Sequence, residues 1–94
     1  MKQRRVKITG IGPVTPAGVG RTHFWNGLQE SISRVRELQT LNKYGNGDFV
    51  AAEVSDASFD ELSHEFSLTK LPRHTQFAVV GAELAARDAG LTYR

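Results

Sequence analysis

Cysteine is absent from the 94 residues, which excludes a disulfide framework, a thiolate metal site and a cysteine nucleophile within them. Long apolar runs are absent too: no stretch approaches the roughly 18–20 residues that cross a bilayer. The start, Met1-Lys2-Gln3-Arg4-Arg5, is basic, but Val6-Lys7-Ile8-Thr9-Gly10 is no apolar core of a secretory signal. A cytoplasmic chain is the expectation. Charge of one sign is scarce, with a net +2 from interspersed acids and bases. The basic start lacks the interleaved aromatics of a nucleic-acid surface, so neither nucleic acid nor membrane is an expected partner. What is present is ordinary for a folded chain: 39% hydrophobic and 23% charged residues. The length allows one small domain, which buries only about 60–65% of the surface its unfolded form exposes.

Along the chain, Arg5-Val6-Lys7-Ile8-Thr9 alternates polar with β-branched residues, the pattern of a half-buried strand. Gly10 to Gly20 holds four glycines and two prolines, which predicts a loop. Thr22 is a candidate cap for a short helix carrying Phe24, Trp25, Leu28 and Ile32 on one side. Gly27 inside that helix predicts close packing, because glycine costs about 1 kcal/mol there against alanine. Residues 33–47 read as an irregular connection ending in the turn Tyr44-Gly45-Asn46-Gly47-Asp48. A second strand is expected over residues 49–54, then a brief helical turn around Glu61 and Leu62 capped by Ser58 or Asp60. Over residues 73–89, Phe77, Val80, Gly81, Leu84 and Ala85 recur at helical spacing, with Gly90 at the stop and Leu91 beyond it. Two short strands and two helices make at most a two-stranded ribbon, which is marginal in water. The reading is an α/β chain whose remaining strands lie elsewhere.

No constellation of residues carries chemistry. Gly10-x-Gly12 follows a strand pattern, but Thr15 stands at the third glycine position of a dinucleotide-binding turn, and Pro13 and Pro16 remove N–H donors. His23, His64 and His74 share no metal-ligand spacing. Ser31, Ser33, Ser55, Ser58, Ser63 and Ser67 include no nucleophile elbow. Asp60, Glu61 and Glu65 read as a solvated acidic helix face. Phe24 and Trp25 are expected to anchor the first helix on a sheet. Catalytic, cofactor-binding and metal-ligating residues are accordingly expected to be none, and no cofactor is assigned.

Four blocks in series carry a family resemblance. The first is Arg5-Val6-Lys7-Ile8-Thr9-Gly10-Ile11-Gly12-Pro13-Val14-Thr15-Pro16-Ala17-Gly18, against R-V-x-I-T-G-x-G-x-V-S/T-P-x-G. Next come Phe24-Trp25-Asn26-Gly27-Leu28, against F-W-x-x-L, and Ala51-Ala52-Glu53-Val54, against A-x-E-V. The last is Arg73-His74-Thr75-Gln76-Phe77-Ala78 with Asp88-Ala89-Gly90-Leu91, against R-x-T-Q-F/Y-A and D-A-G-L. Over nearly its whole length the chain resembles the N-terminal region of β-ketoacyl-acyl-carrier-protein synthases, including the ketosynthases of polyketide assembly. It departs where the family commonly has A-G-x-S-G-I and this chain has Glu30-Ser31-Ile32-Ser33-Arg34-Val35, since non-glycine residues tolerate positive φ poorly. It departs again at Leu71 and Pro72, where the family often has methionine and aspartate, and at His74, in the aromatic position. Pro72 is placed to start the last helix.

The resemblance implies a partial thiolase-like fold, with residues 1–94 as the N-terminal part of a synthase N-terminal domain. It implies decarboxylative Claisen condensation of an acyl group with malonyl on acyl carrier protein, in fatty-acid or polyketide biosynthesis. The family's acyl-accepting cysteine and its two histidines follow the last residue here, so the isolated chain is expected to be inactive. Expected partners are acyl carrier protein, through the complete enzyme, and the remainder of the synthase or a homologous subunit in a dimer. Two other readings stand beside this one: a non-catalytic interaction or dimerisation module, and a segment of a chain-length-determining ketosynthase partner.

Overall fold

The computed structural model describes residues 3–37, 49–54 and 57–91. Their elements, in order, are β1 (Val14–Thr15), β2 (Gly18–Val19), α1 (Arg21–Gln29), β3 (Arg36–Glu37), β4 (Val50–Ala51), α2 (Ala57–Glu65) and α3 (Arg73–Asp88). The strands form two separate antiparallel ribbons, Val14 opposite Val19 in one and Arg36 opposite Ala51 in the other. The radius of gyration, 16.4 Å, exceeds the about 12 Å of a compact domain of this length.

The β1–β2 ribbon lies inside the glycine-rich stretch expected to be loop. Its two-residue turn, Pro16-Ala17, is tied by Thr15, whose hydroxyl donates to the Gly18 carbonyl and accepts from the Gly18 N–H. Gly20 N–H then bonds the Pro13 carbonyl at 2.8 Å, closing the turn into α1. Gly20, not Thr22, is the residue before the helix, and no side chain caps it. Thr22 already lies within the first turn, where its own N–H is an orphan rather than a partner for its hydroxyl.

The small core is built by α2 and α3 with the first ribbon. Val19, Phe59, Leu68 and Val80 are buried, with Phe77, Leu62, Phe66 and Leu84 packed against them. Phe59 and Phe77 meet with ring centroids 5.2 Å apart and tilted by 59°, a geometry aromatic pairs favour. The expected brief turn around Glu61 is a nine-residue helix, in which Ser58 and Asp60 sit past the start rather than capping it. Helix α3 matches its expected span to within a residue. Its end is a Schellman motif: Gly90 has φ 73°, with Leu91 N–H on Ala86 carbonyl at 2.9 Å and Gly90 N–H on Arg87 carbonyl at 3.0 Å. Pro72 is the residue before α3, with extended backbone, and Gln76 N–H bonds its carbonyl.

Several expectations are corrected. Residues 5–9 join no strand among the described residues, and Val6 and Ile8 are 89% and 86% exposed. A strand needs a neighbour for its backbone groups, and no described segment is placed to give one. Trp25 does not anchor α1 on a sheet; it is 60% exposed, and Ile32 lies beyond the helix end. The second strand shrinks to Val50–Ala51, and its partner, Arg36–Glu37, falls within the stretch read as irregular. The turn expected at residues 44–48 lies outside the described residues.

Candidate functional site

Two glycine contacts set the geometry of the first motif block. A methyl at Gly12 would overlap the Gly81 carbonyl oxygen, and one at Gly27 would overlap the Ala17 carbonyl oxygen. The loop therefore lies backbone to backbone on α3, and α1 lies equally close on the β1–β2 turn. The room a phosphate would need beside Gly12 is taken by the α3 main chain. The glycines of the G-x-G are spent on packing.

Asp88 locks this arrangement. One carboxylate oxygen accepts the Ile11 N–H at 3.0 Å, and the other lies 3.2 Å from Arg21 Nε. The loop, the first turn of α1 and the last turn of α3 thus converge on one carboxylate. Beside it opens a mainly apolar cleft of about 540 Å³, walled by Ile11, Phe24, Trp25 and Leu28 with Arg21 and Thr22 at its edge. A cleft of this kind suits an apolar side chain or a packed helix better than a polar substrate.

The last motif block is also structural. The Arg73 guanidinium sits over Phe59 and Phe77, 4.5 and 5.0 Å from their ring centroids. It donates to the Val54 carbonyl at 2.8 Å and pairs with Asp60 at 3.6 Å. Gln76 donates to the Leu71 carbonyl at 2.9 Å and accepts from the buried Ser63 hydroxyl at 3.2 Å. These contacts tie the segment before α3, helix α2 and Val54, beyond the end of β4, into one unit. Arg87 repeats the device over Phe66, 4.9 Å from its centroid, with Glu65 at 2.8 Å.

The other candidates stay apart. His23 Nδ1 lies 3.2 Å from the Val19 carbonyl, while His64 and His74 are exposed on different helices. Among the described residues no three metal-ligating side chains gather. Ser63 bonds Gln76, not a base. Ser31, at the position of the family's glycine, takes φ 53° itself. Arg34 steadies that turn, donating to the Gly27 carbonyl at 3.3 Å and to Glu30 at 2.7 Å.

The model of the β-ketoacyl synthase N-terminal domain matches residues 3–94. The chain belongs to this family. It is 34% identical over 93 residues to a putative polyketide beta-ketoacyl synthase 1 of Streptomyces cyaneus, covering 96% of this chain and 21% of that protein. It is 37% identical over 90 residues to the oxytetracycline polyketide putative beta-ketoacyl synthase 1 of Streptomyces rimosus, covering 95% and 21%. It is 35% identical over 88 residues to the tetracenomycin polyketide synthase ketoacyl synthase beta subunit of Streptomyces glaucescens, covering 92% and 21%. The chain thus spans about a fifth of the length of these β-ketoacyl synthase relatives. No solved structure matches it. The α/β content, with small ribbons and three helices among the described residues, fits part of such a domain.

Proposed function

We propose that this chain is the N-terminal part of a condensing enzyme that joins an acyl group to malonyl held on acyl carrier protein. The observation that carries the reading is the family match over residues 3–94, in which Gly10, Gly12, Gly27, Arg73 and Gln76 of the motif blocks serve packing and hydrogen bonding. They build a scaffold for chemistry supplied by other residues. Polyketide biosynthesis is favoured over fatty-acid biosynthesis by the names of the relatives.

In this reading a thiolase-like fold places a cysteine to take the acyl group as a thioester. Decarboxylation of the malonyl group leaves a carbanion equivalent, which attacks that thioester and expels the thiolate. Donors aimed at the developing oxyanion lower the barrier. The 94 residues hold no cysteine, so they contribute position rather than the nucleophile, and the isolated chain has no condensing activity. The partners are acyl carrier protein and a homologous subunit in a dimer, in the cytoplasm. Among the described residues no helix is long and apolar enough to cross a membrane.

A second reading, a segment of a non-catalytic ketosynthase partner, is favoured by the beta-subunit relative at 35% identity. One experiment separates the two. This chain replaces the matching stretch of the Streptomyces cyaneus relative, and another copy replaces that of the beta subunit. Product formation from malonyl-carrier protein by the first chimera, with its native partner, supports the synthase reading. A folded but inactive first chimera beside a functional second one assigns the chain to the partner class.

A further inference from the structure

We draw no further inference here: the strongest candidate, the apolar cleft of about 540 Å³ between Ile11 and the face of α1 that carries Phe24, Trp25 and Leu28, carries nothing because nothing in the structure shows what covers it.

Discussion

Arg73 sits over the ring of Phe59, its guanidinium carbon 4.5 Å from the ring centroid, while one of its nitrogens holds the Val54 carbonyl. A planar cation over an aromatic face is worth about 0.5–2 kcal/mol, depending on how far it is desolvated. Lysine keeps the charge but loses the plane and the fork. Arg73→Lys should therefore lower stability by roughly 1 kcal/mol, read as a fall in the urea midpoint at unchanged slope. Phe59→Ala, at the fully buried centre of the core, should cost about 3–5 kcal/mol and abolish cooperative melting of the free chain.

Gly12→Ala should be more damaging than Gly20→Ala. At Gly12 a methyl meets the α3 main chain, whereas at Gly20 nothing lies within 4 Å and only the φ of 87° resists. Overpacking against backbone costs about 1–3 kcal/mol and more when neither side can move. At Gly20 the backbone, φ 87° and ψ 158°, lies in a region almost only glycine enters, which costs another residue about 1–3 kcal/mol. Thermal denaturation of the two variants should rank them in that order.

Ser31→Gly should stabilise. Ser31 holds φ 53° at the end of α1, and glycine relieves that strain at the expense of added freedom in the unfolded chain. The expected net gain is roughly 0.5–1 kcal/mol, seen as a higher melting midpoint. A loss would mean that the Ser31 side chain, rather than its backbone, matters to the turn.

Asp88→Asn and Asp88→Ala should part company at one amide. Asparagine retains an acceptor for Ile11 N–H, so hydrogen exchange there stays slow, whereas alanine releases it. The pair with Arg21, a side chain 65% exposed, adds less than about 1 kcal/mol. Raised salt should therefore weaken the wild-type chain only slightly.

How much of this was legible in the sequence depends on whether the signal is local. Helix α3 announced itself through five positions at helical spacing, and Gly90 ended it as its lack of Cβ suggested. Gly27 was legible because a glycine within a helix rarely has a reason other than close approach. The β1–β2 ribbon was hidden, since Gly10 to Gly20 reads as pure loop although Val14 and Val19 stand opposite each other within it. Thr22 misled because a capping residue type stood two positions past Gly20, the residue that precedes the helix. Residues 5–9 have the strand pattern without the ladder, which belongs to pairing and not to pattern. The role of Arg73 was invisible: the contact with Phe59 spans fourteen positions in the chain, and Phe59 itself stands between two polar residues. The family blocks pointed to the family while giving no hint that Arg73 and Gln76 act through packing and hydrogen bonds.

The contact between Gly12 and Gly81 has a mechanical consequence. Both partners are main chain, so no rotamer change can take up slack between them, and the loop must travel with α3 as one rigid piece. Asp88 adds a second fastening at Ile11, which removes the freedom to pivot.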